Sequence, residues 1–598
     1  MATTATEARP HAVRLAAVRE HMRDLGVDAF LVPRADEHQG EYVPPHAARL
    51  AWVSGFTGSA GAAVVLADRA VMFVDGRYTL QVRQEVDETQ FEFEHLVKTP
   101  PAAWLGQNIG KGRRVGFDPW LVTPDGVKEL AAAVEAAGSE VVALDTNPVD
   151  ASWADQPAPP LAPVIVHELA HAGRSSSDKR AAVAEELRKS HLDAAVLSAP
   201  DSVAWLLNVR GGDVECTPLP LSFALVEASG AVTWFVDARK VSDAVRRHVG
   251  DVTIAPREAL LATLDRFGGK RVRIDSATAP YAVAARLEKA GAVVVPGLDP
   301  CALPKACKNE VELAGARAAH RRDAVAMCRF LAWLSREATS GTVSEIAASD
   351  RLEAFRRQSP EFRDLSFATI SGAGPNGAIV HYHSTPDTER LLTPGELYLV
   401  DSGAQYPDGT TDITRTLAIG TPPREAAERF TLVLKGHIAL GTAIFPVGTG
   451  GIQLDAFARR PLWERGLDYD HGTGHGVGSF LSVHEGPHRI AKLYNSVPLA
   501  PGMICSNEPG YYKTGGYGIR IENLVAVREV TVEGGEVPML GFETLTVVPI
   551  DRALVVAEML TEAEKGWLNA YHARVRTEIA PLLDDETRAW LEAATAPI

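Results

Sequence analysis

The chain has 598 residues, too many for one core, and its 46% hydrophobic and 23% charged residues are ordinary for a globular protein. The net charge of −16, with no basic block, argues against nucleic-acid binding through phosphates. The first 26 residues lack the apolar segment of a secretory signal, and no run of about 18 apolar residues predicts a membrane span. Five cysteines without a paired framework suit a reducing compartment, so we expect a cytoplasmic protein.

Two stretches interrupt the pattern along the chain. The first, 147–163, is rich in Pro and Ala and is typical of a linker. The second, 295–309, precedes a long segment with helical apolar spacing. We therefore predict three domains, at 1–150, 160–300 and 305–598.

The first two predicted domains share an order of elements. Each has an amphipathic helix, a strand that begins at an Asp-Ala pair, a Trp (Trp52 or Trp205) before a glycine-bearing turn, and a hairpin that ends in Phe-Val-Asp. This self-similarity predicts a duplicated α/β domain. Neither copy clusters a nucleophile, a base and metal ligands, so we expect both to be scaffold, oligomer contact or cleft wall.

The third domain contains an unusual acidic stretch, "DSGAQYPDGTTDITRT", directly after the apolar run "ELYLV". Asp401 ends one predicted strand, and Asp412 shares a face of the next with Thr410 and Thr414. Asp408 precedes Gly409 in a segment of turn composition, so we interpret it as a turn residue. A buried carboxylate without a partner is strongly disfavoured, which predicts a cation near Asp401 and Asp412.

Two glutamates have similar surroundings. Glu508 follows "MICSN" and ends a predicted strand, whereas Glu522 lies in "GYGIRIEN" on the same face as Arg520. An arginine beside a carboxylate ligand is a plausible orienting partner.

The segment "HGTGHGVGSFLSVHEGPH" adds His471, His475, His484 and His488. Its glycines argue against a helix, so His471 and His475 are not a helical i, i+4 pair, and no HExxH motif is present. The residues alone leave open whether each histidine is structural or a ligand.

Two aspartates, two glutamates and one histidine form a hard, oxygen-rich donor set. Four carboxylates cannot lie close together in ionised form without counter-charge, which two divalent cations would supply. Such ligation suits Mn²⁺, with Zn²⁺ or Co²⁺ as alternatives.

These motifs, together with "SNEPGYY" and the tail "LTEAEKGWLNAYH", resemble those of aminopeptidase P (Xaa-Pro aminopeptidase), in its three-domain cytosolic form. The resemblance implies a pita-bread catalytic domain after the two α/β domains, and a homodimer. It implies five ligands of two metal ions: Asp401, Asp412, His475, Glu508 and Glu522. Asp412 and Glu522 would bridge the metals.

The resemblance also implies roles for neighbouring residues. His381, in "GAIVHYHS", and His484 match the family's catalytic histidines near the substrate carbonyl, and Glu508 is the expected proton shuttle. His471 and Arg520 match residues that line the site or hold ligands. Three residues match no catalytic role and are expected to be structural: His383, His488 and Asp408.

The activity implied is removal of the N-terminal residue from peptides with proline at the second position. Spacing alone supports only a two-metal hydrolase. A prolidase-type Xaa-Pro dipeptidase would share the metal site, and a methionine aminopeptidase would have no use for two large N-terminal domains. A pita-bread protein that binds peptides or histones without metals is the non-enzymatic alternative.

Overall fold

The computed structural model describes residues 10–598, so the first nine residues of the N-terminal stretch considered above lie outside it. The chain forms two compact units. One comprises residues up to 166, 175–215 and 219–301, and the other comprises 167–174, 216–218 and 302–598. The second unit thus includes two short segments from within the predicted 160–300 domain. Among the described residues, no helix combines the length and apolar character needed to cross a membrane.

The first unit contains two six-stranded sheets and a two-stranded ribbon. Its strands are β1 Ala29–Pro33, β2 Gly61–Leu66, β3 Ala70–Val74, β4 Phe91–His95, β5 Arg114–Phe117, β6 Glu140–Ala143, β7 Ile165–Val166, β8 Ala194–Leu197, β9 Val209–Arg210, β10 Phe223–Glu227, β11 Val232–Phe235, β12 Thr253–Ala255, β13 Arg271–Ile274 and β14 Val293–Pro296. Its helices are Pro10–Asp24, Arg49–Ser54, Gln81–Glu85, Pro101–Asn108, Pro124–Ala136, Pro148–Ser152, Ser176–Lys189, Pro200–Leu207, Asp243–Val249, Ala259–Leu264 and Tyr281–Lys289.

The two large sheets of this unit repeat one topology. The strand orders are β4-β3-β2-β1-β5-β6 and β12-β11-β10-β8-β13-β14. In each sheet the second and third pairings of this order are antiparallel and the other three pairings are parallel. The predicted pair of related α/β folds is therefore confirmed.

The second unit contains one six-stranded sheet, two three-stranded sheets, one two-stranded sheet and eight helices among the described residues. Its strands are β15 Asp364–Leu365, β16 Ile370–Ala373, β17 Leu397–Ser402, β18 Ala404–Tyr406, β19 Gly409–Thr410, β20 Ile413–Ala418, β21 Phe445–Pro446, β22 Gly474–Gly476, β23 Glu485–Ile490, β24 Ile504–Asn507, β25 Gly510–Lys513, β26 Tyr517–Arg520, β27 Asn523–Val530 and β28 Met539–Thr544. Its helices are Leu169–Ala172, Ala302–Ala306, Glu310–Glu337, Glu345–Arg356, Arg424–Gly441, Gly451–Trp463, Glu562–Ile579 and Asp585–Ala594.

Two sheets of the second unit position the acidic stretch and the histidines. One has the order β16-β17-β20, and the other has β21-β28-β27-β24-β22-β23. The helical spacing after 295–309 predicted the helix Glu310–Glu337. This helix begins with a capping box, in which Asn309 and Glu312 satisfy each other's backbone N–H groups. Its buried face packs against β17 and β20 in one apolar cluster.

Buried histidines make the second unit sensitive to acid. Burial, together with the nearby charge of Arg415, lowers the pKa of His437 to about 3. Burial likewise lowers the pKa of His572 to about 4. Between these values and 6.5 the unfolded chain binds the protons, so stability falls as the pH drops from 6.5 towards 4.

We expect His437→Gln to make the free energy of unfolding depend less steeply on pH. Each such histidine contributes up to about 1.4 kcal/mol per pH unit to the free energy of unfolding, and the variant loses one contribution. Urea denaturation of both proteins in excess chelator, at pH 4.5 to 7, measures the two slopes. Equal slopes would show that His437 takes up a proton in the folded protein.

Candidate metal centre

Asp401 and Asp412 are brought together by two antiparallel strands. Asp401, near the end of β17, pairs with Thr414 of β20, and Asp412 comes one residue before β20 begins. Their exposed fractions are only 7% and 4%. The sequence therefore identified the two strands that approach each other, although it placed Asp412 within one rather than at its start.

The strand expected to contain both Thr410 and Asp412 is divided in two. β19 ends at Thr410 and pairs with β18, whereas β20 pairs with β17 in a different sheet. The chain passes from one sheet to the other where the backbones of Gly403 and Thr411 lie very close. A Cβ on Gly403 would be 1.9 Å from the carbonyl oxygen of Thr411, so this position requires glycine. Asp408 lies in the turn between β18 and β19, where Arg322 pairs with it at 3.0 Å.

Arg520 holds one oxygen of Asp401 and leaves the other without a partner. The Arg520 Nη2 donates to Asp401 Oδ2 at 2.6 Å. Asp401 Oδ1 is buried and accepts no hydrogen bond within residues 10–598. Because an unsatisfied buried carboxylate oxygen is costly, this atom fits a bound cation.

Glu522 lies between β26 and β27 and is 1% exposed. Its Oε2 accepts from the hydroxyl of Thr414 at 2.8 Å, and its backbone N–H donates to the carbonyl oxygen of Thr414 at 3.2 Å. Thr414, which pairs with Asp401 between the two strands, therefore also holds Glu522 in place.

His475, in β22, lies between two carboxylates. Its Nε2 is 3.5 Å from Asp412 Oδ2 and 3.6 Å from Glu508 Oε1. Its Nδ1 donates to the carbonyl oxygen of Gly476 at 2.9 Å, which orients the ring so that Nε2 faces both carboxylates. Donor atoms of Asp412, His475 and Glu522 all lie within 4.8 Å of one another, a spacing that can hold a metal ion.

Glu508 follows β24 directly, as predicted. Its N–H donates to the carbonyl oxygen of Thr473 at 2.9 Å, and its Oε1 accepts from the hydroxyl of Ser506 at 3.2 Å. His471 Nδ1 lies 3.8 Å from Glu508 Oε2, and the rings of His475 and His484 are 4.3 Å apart between centroids.

The raised pKa values of the carboxylates in this cluster indicate that it would bind cations. Burial raises the pKa of Asp401 to about 6 despite the opposing charge of Arg520. Burial and the neighbouring carboxylates also raise the pKa of Glu508 and place that of Glu522 well above its usual range. Burial lowers the pKa of His475, but Asp412, Glu508 and the carbonyl oxygen of Gly476 together outweigh burial and raise the pKa to about 9. Divalent ions would relieve the repulsion that these shifts record.

The remaining predicted residues lie at different depths. His381 is half-buried on the loop between β16 and β17, and His383 on the same loop is exposed. His488 is buried, and its Nε2 donates to the carbonyl oxygen of Ile504 at 2.9 Å.

Tyr512 also belongs to the site, although the sequence did not predict it. Its hydroxyl accepts from Arg520 Nη1 at 2.6 Å and lies 2.8 Å from His471 Nε2. It lies opposite Gly518 in the β25–β26 hairpin, diagonally across from Arg520. The Gly-Gly turn in "KTGGYG" is the signal that could have revealed the hairpin and this contact.

We expect Arg520→Lys to weaken metal binding by about 10- to 100-fold while leaving the fold intact. Three guanidinium nitrogens of Arg520 serve Asp401, Tyr512 and Thr414, and an ammonium group cannot span these directions. Calorimetric titration with Mn²⁺ measures the change. Tyr512→Phe serves as the control, because it removes the hydroxyl beside Arg520 and His471 but keeps the bonds of Arg520 to Asp401 and Thr414. An affinity unchanged in Arg520→Lys would contradict this role.

Buried carboxylates and one inward-facing imidazole in a pita-bread domain place this protein in a class of metallopeptidases. Residues 314–529 match the family model described as Metallopeptidase family M24, and 538–598 match that of its C-terminal region. Residues 14–149 and 155–312 each match a Creatinase/Prolidase N-terminal domain. The chain belongs to metallopeptidase family M24, as its relatives also show.

Those relatives align over nearly the whole chain. A probable Xaa-Pro aminopeptidase P of Laccaria bicolor is 42% identical, covering 98% of this chain and 93% of its own. One from Aspergillus niger is 41% identical, covering 98% of each chain. The crystal structure of X-prolyl aminopeptidase from Caenorhabditis elegans, described as a cytosolic enzyme with a di-nuclear active site, matches with a TM-score of 0.94 and 34% identity, over 99% of this chain and 100% of that one.

Proposed function

We propose that this protein is a dinuclear-metal aminopeptidase that removes the N-terminal residue from peptides with proline at the second position. The observation that carries the proposal is the cluster of Asp412, His475 and Glu522, whose donor atoms lie within 4.8 Å. The names of the full-length relatives support the choice of substrate.

Five residues would hold the two metal ions in this proposal: Asp401, Asp412, His475, Glu508 and Glu522. Asp412 and Glu522 are assigned as bridging ligands. Mn²⁺ is the proposed ion because four of the five donors are carboxylates, with Zn²⁺ or Co²⁺ as alternatives. When bound, such ions lower the pKa of water towards 7 and polarise a carbonyl group.

The chain's own residues would handle protons and charge. Glu508 is assigned to take a proton from water and deliver it to the leaving proline nitrogen, which departs as a secondary amine. His381 and His484 would donate hydrogen bonds to the substrate carbonyl as negative charge develops there. His471 and Arg520 would hold Glu508 and Asp401 in place.

We expect His381→Ala to lower kcat about 100-fold with two metal ions per chain retained, because one hydrogen-bond donor to developing charge is lost. Steady-state kinetics and metal analysis of the same preparation measure both quantities. His383→Ala, two residues away and exposed, is the matched control. Metal loss in His381→Ala would instead make His381 a ligand.

Peptide length distinguishes the proposed activity from an Xaa-Pro dipeptidase with the same metal site. The purified protein is incubated with an Xaa-Pro dipeptide and with Xaa-Pro-Yaa peptides of increasing length. Release of the first residue from the longer peptides is the expected result. Cleavage of the dipeptide alone would establish the dipeptidase, and no cleavage would favour a protein that only binds peptides.

We further propose that the protein is cytoplasmic, that it is a homodimer, and that its domains are 1–150, 160–300 and 305–598. Limited proteolysis with mass spectrometry tests the domain bounds. Light scattering after size-exclusion chromatography tests the dimer, and a mass of one chain would reject it.

A further inference from the structure

Glu345 is a fully buried carboxylate far along the chain from the candidate metal ligands. It is the first residue of the helix Glu345–Arg356, whose N-cap is Ser344, and its exposed fraction is 0%. A carboxylate there interacts favourably with the helix N-terminus. That interaction does not require burial, so other contacts must explain why the Glu345 side chain is buried.

Those contacts all come from the loop that carries His381. Glu345 Oε1 accepts from the backbone N–H of Ala373 at 2.6 Å, where the loop begins. Glu345 Oε2 accepts from the N–H of Arg390 at 2.9 Å, near its end, and from the Tyr382 hydroxyl at 2.9 Å, in its middle. The Asn376 amide lies 3.1 Å from both oxygens. One side chain thus ties three parts of the loop.

The partners of this carboxylate within residues 10–598 are backbone amides, an amide side chain and a phenol, none of them cationic. Burial raises the pKa of Glu345, and these donors oppose the rise. Because both oxygens accept from backbone N–H groups, a glutamine would turn its NH₂ group towards one of them. The site therefore requires a carboxylate and not merely a side chain of its shape.

The loop also contacts the strand that carries Arg520. A Cβ on Gly518 of β26 would lie 1.7 Å from the carbonyl oxygen of Gly377, so the two backbones are in direct contact. Tyr382, the neighbour of His381 in sequence, is 5% exposed. Glu345 and β26 therefore both hold the loop, through different residues.

We propose that Glu345 is a positioning residue, which acts on the reaction by holding the loop 373–390 so that His381 faces the substrate. The inference rests on the proposed function, in which His381 donates a hydrogen bond to the substrate carbonyl. A catalytic group that is already held in its reactive position lowers the barrier more than one that must be ordered at each turnover. A displacement of about 1 Å can lower the rate about 100-fold.

A double-mutant cycle with hydrogen exchange tests this inference. Glu345→Gln is expected to lower kcat about tenfold or more, with two metal ions retained and faster amide exchange in residues 374–390. In the His381→Ala background the same substitution is expected to lower kcat no further. The control is Glu396→Gln, which removes a partly exposed ion pair to the Arg390 side chain and should change neither quantity.

Tyr382→Phe provides a second variant, since it removes one hydroxyl from Glu345 and keeps the ring, and we expect a smaller effect of the same kind. An unchanged kcat in both variants, or a loss in Glu345→Gln that multiplies with that of His381→Ala, would overturn the inference. If wild-type protein cleaves no Xaa-Pro-Yaa peptide, the proposed function fails, whereas unchanged exchange in 374–390 would reject the role of Glu345 independently.

Discussion

Asp412→Ala is expected to abolish peptidase activity and metal loading together, with kcat/KM lower by about a thousandfold or more. Asp412 lies 3.5 Å from His475 and within 4.8 Å of a Glu522 oxygen, so one substitution removes a ligand assigned to both ions. Metal ions contribute several kcal/mol to stabilising charge in such reactions, and each 1.4 kcal/mol is tenfold in rate. Metal analysis and peptide hydrolysis on one preparation measure both losses. Glu522→Ala should behave in the same way.

Asp408→Ala is the matched control for this substitution. Asp408 belongs to the same acidic stretch, but its partner is Arg322 and its position is a turn. It should retain both ions and nearly full activity. An Asp412→Ala protein that kept two ions and wild-type activity would contradict the bridging assignment.

Glu485→Ala is expected to destabilise the second unit by about 3–5 kcal/mol. Lys305 and Lys308 both pair with Glu485, and all three side chains are at most 4% exposed. Removing the carboxylate leaves two buried ammonium groups without their counter-charge, which is more costly than losing an exposed ion pair. Guanidinium denaturation of the metal-free protein measures the change in the free energy of unfolding.

The control for this prediction is Glu425→Gln, which removes an exposed pair with Lys513 and should leave the unfolding midpoint unchanged. Equal midpoints for wild type and Glu485→Ala would show that the two lysines do not depend on this carboxylate. Glu485 directly follows His484, so the expected loss would also show that the acidic residue of "HEGPH" has a structural role.

Periodicity within a strand predicted one part of the centre. Alternation placed Asp401 on one face of β17 and Thr414 on one face of the next strand, and the structure pairs these two residues directly. The duplicated order of elements similarly predicted two sheets of one topology. In both cases the signal is local, because residues close in sequence determine which side chains share a face.

Contacts between distant segments could not be predicted in this way. Glu345 has the sequence signature of an ordinary acidic residue in a helix first turn, and only the fold of a loop some 30 to 45 residues away buries it. Tyr512 joins the site through the register of a hairpin with Arg520. The division between β19 and β20 arises from the close approach of Gly403 to Thr411, which no periodicity encodes.

The most direct test of a two-metal peptidase is a metal titration followed by activity. Protein stripped with chelator is dialysed, Mn²⁺ is added in steps, and hydrolysis of an Xaa-Pro-Yaa peptide is measured together with bound metal per chain. The predicted result is no activity in the stripped protein and a plateau at two ions per chain. Full activity without metal, or a plateau at one ion, would contradict the dinuclear centre.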